Sequence, residues 1–384
     1  MSIRRRVMAT LALAGITAWT AGCIGDTEIR GDCSTGVAVL WSSETAFPSW
    51  VEIWTTDGRQ AKIRADVQGI DKTAEFSGAT PSPWFSTNGN TVHDKSSIGR
   101  LNRSDCSVQI TQLEEAGVLD FADVAGNPVV SYVSGGFDNS WVDVYSPEGI
   151  RQGSYRTGNT APSQLAVSGS DLLAFTTTRT KDADQSLGPV ELQTISGPPE
   201  SLTLSNRVNL SEALSWPPIE GSISDATVLD GKVYFALPFW ENQHIEPMLD
   251  ERLTTLGVVD QASGRVDQIQ LEHDMPYQVE QHNGQIYVAH TFLNPGPRDF
   301  SEYRYISRIT PETGKVETFD VGPLLREIAF SDGLLHVLHY DRENPVLEIY
   351  QPETMQKLAT HHLQTPTGDY YYIGAIGLGT PSGR

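Results

Sequence analysis

The sequence is poor in features that mark several common protein classes. It has three cysteines in 384 residues, and none has the CxxC or Cys/His spacing of zinc ligands, which excludes a structural zinc site of that kind. Its N-terminal apolar run, residues 7–20, is shorter than the roughly 20 residues that span a bilayer. Apolar residues recur nowhere at sustained helical spacing after residue 22, so stacked helix pairs are excluded as well.

Basic residues are also scarce. The chain carries 27 Lys and Arg against 48 Asp and Glu, a formal net charge of −21. Residues 1–22 contain three arginines and no acid, so the remainder has 24 basic and 48 acidic side chains and a net charge of −24. Such a surface repels the phosphates of nucleic acid and of anionic lipid, and we expect neither as a partner.

The first 22 residues have the three parts of an export signal. Residues 4–6 are arginines, a short apolar segment follows, and small residues precede Cys23. This arrangement resembles the bacterial lipobox, although Thr20 stands where that motif prefers Leu. The resemblance implies a signal peptide at 1–22, an acylated Cys23, a tether at 23–35, and an extracytoplasmic protein anchored by lipid to the cell membrane or outer membrane. The alternative is an ordinary secretory signal that leaves Cys23 as a plain thiol.

The two remaining cysteines are Cys33 and Cys106. In an oxidising compartment outside the cytoplasm a lone pair of cysteines favours a disulfide. The sequence therefore predicts a Cys33–Cys106 bridge, and two unpaired thiols are the alternative.

What the sequence does contain is a repeat. Three segments align as a Gly turn followed by alternating apolar residues: GKVYFALPFW at 231–240, GQIYVAHTFL at 284–293 and GLLHVLHYDR at 333–342. Spacings of 53 and 49 residues separate them, and each is preceded by one short strand and followed by two more around a polar turn. Four strands in about 40–50 residues is the period of a β-propeller blade.

The same register gives the number of blades. Turns between first and second strands fall near residues 89, 126, 170, 231, 284 and 333. A seventh unit at 36–65 lacks its first strand, and the β-rich run at 370–378 has no hairpin partner after it. We expect 370–378 to pair beside 36–43, because closure of the ring removes its exposed edges.

The sequence therefore predicts an all-β chain with a single propeller of seven four-stranded blades at 36–378 and a C-terminal tail at 379–384. Eight blades are the main alternative, because the stretch 178–231 is long. We expect a monomer.

The repeat resembles the bacterial extracytoplasmic seven-bladed propellers of the YVTN and quinoprotein-like superfamily. YVAH at 287–290 and VVDQASGRV at 258–266 stand where that family has its strand and turn signatures. The quinoprotein branch has a Trp soon after the turn Gly of each blade, whereas Gly264 and Gly314 are each followed by Val two residues later. This departure argues against bound pyrroloquinoline quinone, and we expect no cofactor and no bound metal.

The two faces of the predicted propeller differ. The turns within hairpins of one face are tight, whereas the loops of the opposite face are long and rich in charged and aromatic residues: 135–141, 179–188, 240–252 and 293–304. Because function is often carried by loops on a rigid scaffold, we expect the binding site on the long-loop face.

Within that face, first strands begin near the central axis, and residues counted back from the turns form a polar ring. The predicted ligand-binding residues are Gln164, Asp225, Gln278 and Glu327, with Arg326 beside the last and Trp240 and Tyr303 at the rim. Such a ring can hold a cation or a polar ligand. The alternative is that its side chains bind ordered water, as polar groups lining a channel commonly do.

Two histidines share one register position on second strands, His290 and His339. Second strands of adjacent blades are separated by a layer of strand, so their side chains should not converge on a metal. We expect packed, hydrogen-bonded histidines.

No G-x-S-x-G, phosphate-binding loop or H-E-x-x-H motif occurs. The sequence favours a noncatalytic propeller that recognises a protein, peptide or glycan at the cell surface or in the periplasm. The alternative is a metal-assisted lyase or hydrolase acting on a small substrate at the channel mouth, with catalytic residues that the sequence does not identify.

Overall fold

The computed structural model describes most of the chain after residue 27. The described residues are 28–42, 48–66, 84–87, 96–113, 117–124, 126–134, 139–158, 160–179, 187–214, 223–237, 239–240, 251–291, 303–341, 344–366 and 372–377. Within these ranges no helix is long and apolar enough to cross a membrane. Cys23 lies outside them.

Nearly all regular structure in the described residues is β-strand. The strands are β1 (Val37–Ser42), β2 (Ser49–Thr55), β3 (Gly58–Ala65), β4 (Trp84–Thr87), β5 (Ser97–Asn102), β6 (Ser107–Gln112), β7 (Val118–Val124), β8 (Asn127–Ser134), β9 (Asn139–Tyr145), β10 (Arg151–Gly158), β11 (Thr160–Ser168), β12 (Asp171–Arg179), β13 (Leu187–Ser196), β14 (Thr203–Asn209), β15 (Asp225–Leu229), β16 (Lys232–Ala236), β17 (Phe239–Trp240), β18 (Glu251–Arg252), β19 (Thr255–Asp260), β20 (Val266–Gln270), β21 (Pro276–His282), β22 (Gln285–His290), β23 (Tyr305–Thr310), β24 (Lys315–Asp320), β25 (Leu325–Ser331), β26 (Leu334–His339), β27 (Val346–Gln351), β28 (Gln356–His362) and β29 (Tyr372–Gly377). A 3₁₀ turn at Pro199–Ser201 and one helical turn, α1 (Leu210–Ala213), complete them.

These strands form seven antiparallel blades, as predicted. Their strand orders are β29-β1-β2-β3, β4-β5-β6, β7-β8-β9-β10, β11-β12-β13-β14, β15-β16-β19-β20, β21-β22-β23-β24 and β25-β26-β27-β28, with β17 and β18 forming a separate ribbon. The long stretch that suggested an eighth blade supplies β13 and β14, the outer strands of the fourth blade. The first strands β7, β11, β15, β21, β25 and β29 contact one another in succession around the axis.

The ring closes through the C-terminal strand, which confirms the predicted pairing. β29 runs antiparallel to β1, with Val37 opposite Gly377 and Ser42 opposite Tyr372. On the turn side, the Gly36 backbone N–H donates to Asp332 Oδ2 at 2.7 Å and the Ser331 hydroxyl donates to the Gly36 carbonyl. Gly36 has φ +96°, and a Cβ there would overlap the Trp54 carbonyl oxygen, so only glycine fits this position.

The second blade shows three strands in the described residues. β4 pairs directly with β5, and Phe85 lies opposite Gly99. The same arrangement occurs between the second and third strands of the fifth blade, where Phe235 lies opposite Gly257. In both pairs the aromatic ring covers the glycine so closely that a Cβ would overlap it. We therefore assign β4 as the second strand of its blade. The turn between first and second strands was predicted near residue 89, which follows β4 in the chain, so this prediction does not fit the assignment; residue 89 itself lies outside the described residues.

The hydrophobic core lies between the blades. Phe175 of β12 and Phe235 of β16 meet with ring centroids 5.4 Å apart, in a cluster that joins the fourth and fifth blades. Comparable clusters join other neighbouring blades, because period-2 strands present apolar side chains on both faces of each sheet. Burial between rigid sheets therefore fixes the first strands, and with them the axial channel.

The predicted Cys33–Cys106 disulfide is present, with a Cα–Cα distance of 5.6 Å. It links the segment before β1 to the turn between β5 and β6. The bridged residues are 73 apart in sequence, a separation for which chain-entropy estimates give about 4 kcal/mol of stabilisation.

Candidate functional site: an acidic axial cavity

The predicted ring residues do occupy equivalent positions on the first strands. Gln164, Asp225, Gln278 and Glu327 each lie opposite the fifth residue of the following strand: Phe175, Ala236, Ala289 and Leu338. Asp120 lies opposite Ser131 in the same register and is a fifth member that the sequence analysis missed. The signal was available, because Asp120 precedes Gly126 by six residues, as Asp225 precedes Gly231.

A register shift immediately before the ring residue aims these side chains. It occurs between Val118 and Asp120, Pro162 and Gln164, Pro276 and Gln278, and Leu325 and Glu327. Such bulges bend a strand and redirect the side chain that follows. Arg326 is the extra residue of the last bulge and is buried, beside Glu327 rather than in register with the ring.

The ring side chains bind the backbone of the next blade. Asp225 Oδ2 accepts the Val279 N–H at 2.6 Å, and Asp120 Oδ2 accepts the Leu165 N–H. Gln278 Oε1 accepts the Ile328 N–H at 2.8 Å while its Nε2 donates to the Ile328 carbonyl at 2.8 Å.

Each of these backbone partners directly follows a ring residue of the neighbouring blade. The ring therefore ties first strand to first strand by direct hydrogen bonds. The ligand-holding ring and the water-lined ring inferred from the sequence stay predictions beside this observed role.

A cavity of about 270 Å³ lies next to this ring. Four first strands line the cavity. The lining segment of each strand begins at the ring residue or the residue after it and ends three residues before the turn: Phe121–Asp123, Gln164–Val167, Asp225–Val228 and Val279–Gln281. Gln164 at the ring end is 3% exposed, whereas Gln281 near the turns is exposed. The cavity therefore extends from the ring toward the tight-turn face.

Three of the six polar residues that line this cavity carry carboxyl groups. Glu280 lies two residues after Gln278 and therefore on the same side of β21; burial, with the charges of Asp225 and Glu327, raises its pKa to about 8. Burial likewise raises the pKa of Asp225 to about 7, although its two oxygens accept the Ala226 and Val279 N–H groups. Burial also raises the pKa of Asp123. We call Asp123, Asp225 and Glu280 the axial carboxyls.

Sequence reasoning missed Glu280 and Asp123. Both lie within three residues of a ring position, but only the three-dimensional arrangement shows that they face a cavity. For Glu280 the period-2 rule was a sufficient signal, since residues i and i+2 of a strand share a face.

The predicted rim residues lie elsewhere. Tyr303 is buried, and its carbonyl accepts the Leu325 N–H at 2.8 Å, so it packs beside the start of β25. Trp240 is in the β17–β18 ribbon, and its side chain lies outside the described residues. Neither lines the cavity.

His290 and His339 are packed and hydrogen-bonded, as expected. Their Nδ1 atoms meet the carbonyls of Asp274 at 2.8 Å and Pro323 at 2.9 Å, each 16 residues earlier in the chain. Burial lowers the pKa of His290 to about 4, so the ring is neutral. A carbonyl only accepts, so Nδ1 carries the proton and Nε2 accepts from the Ser307 hydroxyl.

A second set of buried acids lies on third strands, away from the axis. Glu52, Asp143 and Glu348, the blade carboxylates, share one register position, opposite Val39, Val130 and Val337. Each accepts a hydrogen bond from an aromatic residue two positions on: Trp54, Tyr145 and Tyr350. Each also has a cation from the fourth strand nearby: Arg59 at 2.8 Å, Arg151 at 3.6 Å and Lys357 at 2.6 Å.

Glu348 shows the consequence of this pairing. Burial alone would raise its pKa, but hydrogen bonds from His339, Lys357 and Tyr350 lower it to about 2. Among the residues that the structure describes, no group of three or more His, Cys, Asp or Glu side chains is arranged to hold a metal ion.

No protein-family model matches the sequence, and no curated protein matches it. Solved structures do match along most of the chain. Apo AztD from Citrobacter koseri is 13% identical with a TM-score of 0.51, covering 89% of this chain and 98% of that chain. A mutant of Synechocystis apocarotenoid oxygenase is 12% identical with a TM-score of 0.51, covering 88% and 92%.

Dihydro-heme d1 dehydrogenase NirN, in complex with DHE, is 13% identical with a TM-score of 0.50, covering 89% of this chain and 75% of that chain. At these identities the likeness establishes the propeller fold alone.

Proposed function

We propose that this protein is a noncatalytic, extracytoplasmic binding propeller that takes part of a protein, peptide or glycan ligand into its axial cavity. The observation that carries the proposal is the cavity itself, bounded by the ring and lined by three carboxyls. Ligand sites are concave and have few polar groups at fixed positions. A volume of about 270 Å³ suits a side chain, a terminus or a small part of a sugar.

The hydrogen bonding of the site favours binding over catalysis. Both oxygens of Asp225 accept backbone N–H groups from two different strands, so its position is fixed as part of the wall. Such a group orients a ligand but is poorly placed to move toward a reacting atom. The structural neighbours include named enzymes, and the propeller fold is compatible with both kinds of function.

The first test locates the binding face. Peptide and glycan arrays are probed with the full chain, then with Gln281→Trp, which obstructs the exposed end of the cavity. Gln268→Trp, at an exposed position of β20, is the matched control. We expect Gln281→Trp to abolish binding of the ligands found and Gln268→Trp to leave it unchanged.

A Trp240→Ala variant tests the long-loop face predicted from the sequence. Loss of binding in Trp240→Ala with full binding in Gln281→Trp would move the site to that face. If neither substitution weakens binding, the proposed function is wrong.

We also propose that Cys23 is acylated and holds the propeller to a membrane surface. Its support is the resemblance of the N-terminal residues to a lipobox. Cys23→Ser should move the protein from the membrane fraction to the soluble fraction of cells that express the full chain. Continued sedimentation of Cys23→Ser with membranes in high salt would contradict lipid anchoring.

A further inference from the structure

We infer that the axial cavity binds an ammonium group, such as that of a lysine side chain, a polyamine or an amino sugar, through Glu280, Asp225 and Asp123. This inference rests on the proposed function and names the ligand class of the same site.

The charge of the lining is one-sided. The described lining residues include three carboxyls and no Lys, Arg or His. At each of the three blade carboxylates, by contrast, the protein supplies a cation from its own chain. An uncompensated carboxylate in a low-dielectric site is costly, and a bound cation removes that cost.

Asp123 provides a second, independent indication. It is 9% exposed and lines the cavity. Its Oδ1 accepts the Gly126 N–H at 2.6 Å, but its buried Oδ2 has no hydrogen-bond partner in the part of the chain that the structure describes. Buried polar atoms are rarely left without a partner, so this oxygen marks a place for a donor.

Of the three axial carboxyls, Glu280 has the most hydrogen-bond acceptor sites left for a ligand. Within the described ranges its carboxyl accepts one hydrogen bond, from Gln278 Nε2 at 3.3 Å. The remaining lone pairs are available for N–H donors. An ammonium group carries three donors, and separate carboxyls can accept from it without meeting at one point. A metal ion requires closer convergence, which no described group of side chains provides.

Further carboxyl groups around the cavity add to the negative charge of the site. Asp225 on β15 and Glu327 on β25 both act on Glu280, and Asp120 on β7 is close enough to Asp225 for their charges to interact. Among the cations of the described residues, Arg326 is buried next to Glu327 in sequence, and Arg100 acts on Asp123, whose pKa it lowers against the effect of burial. Neither lines the cavity.

Binding of an ammonium group should release a proton. With its pKa raised by burial to about 8, Glu280 is mostly protonated at pH 7 in the empty protein. When the positive ligand arrives, the carboxyl O–H bond breaks, its proton passes to solvent, and the carboxylate accepts the ammonium N–H. Affinity should therefore rise with pH between about 6 and 8, while the amine itself stays protonated.

The experiment uses purified full chain and calorimetric titration with cadaverine. Its neutral counterpart 1,5-pentanediol is the matched ligand, and sodium and calcium are added separately. Buffers of different ionisation enthalpy, free of primary amines, give the number of protons released. The variants are Glu280→Gln, which imitates the protonated acid and should fold, and Glu272→Gln, an exposed carboxyl outside the cavity.

We expect cadaverine to bind and pentanediol not to bind. Glu280→Gln should weaken cadaverine at least tenfold, about 1.4 kcal/mol, and reduce the number of protons released, whereas Glu272→Gln should change neither. Equal binding of both ligands, tighter binding of calcium or sodium, pH-independent affinity, or no cadaverine binding at millimolar concentration would each overturn the inference. An array ligand that lacks an ammonium group but is lost in Gln281→Trp would overturn it while leaving the proposed function intact.

Discussion

Glu348 of the blade carboxylates and Asp225 and Glu280 of the axial carboxyls belong to one propeller, yet their pKa values are shifted in opposite directions. At the blade position Glu348 has a pKa of about 2, because Lys357, Tyr350 and His339 donate to it. At the axis, burial raises the pKa of Asp225 to about 7 and that of Glu280 to about 8. The hydrogen-bond donors differ. The Lys357 ammonium and the Tyr350 hydroxyl donate to Glu348 and stabilise its charge, whereas the donors to Asp225 and Glu280 in the described residues are neutral amides.

The contributions of Glu348 and Glu280 to stability therefore respond to pH with opposite sign. Glu348 has a lowered pKa in the folded state, so its contribution is present above about pH 4.5 and is lost as pH falls toward 2. Glu280 has a raised folded pKa, so the folded state gains from its proton at low pH and loses that gain as pH rises from about 4.5 through 8.

The largest effect is expected from removing a blade carboxylate. Glu348→Ala leaves the Tyr350 hydroxyl and the Lys357 ammonium without their acceptor, so the free energy of unfolding should fall by about 2–3 kcal/mol. Urea unfolding at pH 7 measures this change, with the exposed Glu312→Ala as control. A loss no greater than that of the control would mean that the pairing contributes nothing.

The next effect comes from giving the axial acids the cation they lack. Thr227 lines the cavity two residues after Asp225, on the same side of β15. Thr227→Lys should raise the free energy of unfolding at pH 8 by about 1–2 kcal/mol and abolish cadaverine binding. Thr227→Met has similar length and no charge. Equal stability of the two variants at pH 8 would show that the axial acids carry no uncompensated charge.

A smaller effect is expected from neutralising one axial acid. Glu280→Gln should be more stable than the parent at pH 8, on the order of 1 kcal/mol, and should approach it near pH 4, where Glu280 is protonated in the folded state and mostly protonated in the unfolded state. Unfolding curves measured from pH 4 to 8.5 give the difference. The same stability difference at every pH would contradict the raised pKa.

The smallest effect tests the partner of Glu348. Lys357 is 46% exposed, so Lys357→Met should cost only about 0.5 kcal/mol at pH 7. It should nevertheless raise the pKa of Glu348 and move the midpoint of acid unfolding to higher pH. Lys315→Met, on the outer strand of the sixth blade, is the control. An unchanged acid midpoint would assign the low pKa to the Tyr350 and His339 hydrogen bonds.

Much of the architecture was predictable because it follows from the two-residue alternation of apolar side chains along strands and from the glycine turns between them. The Gly turns at 231, 284 and 333 set the register of the repeat, and that register gave seven blades, the closing strand and four ring positions. Cysteine count alone predicted the Cys33–Cys106 bridge.

The site was less predictable because its contacts join distant blades. No local pattern shows that Asp225 will accept the N–H of Val279, 54 residues away, or that Asp123 and Glu280 face one cavity. Sequence also directed attention to the long loops, whereas the cavity extends toward the tight turns. A long loop indicates a segment with few conformational constraints. The volume of a cavity depends instead on the distance between the first strands that enclose it, which no local pattern in the sequence shows.

The covalent link at the start of the propeller also has a mechanical consequence. Val37 and Gly377 are partners at one end of the seam between β1 and β29, so a force applied through the N-terminal segment would, by itself, peel that seam open one hydrogen bond at a time. The Cys33–Cys106 bridge lies just before β1 and directs part of such a load into the second blade. Reduction of the bridge should lower the force at which the ring opens.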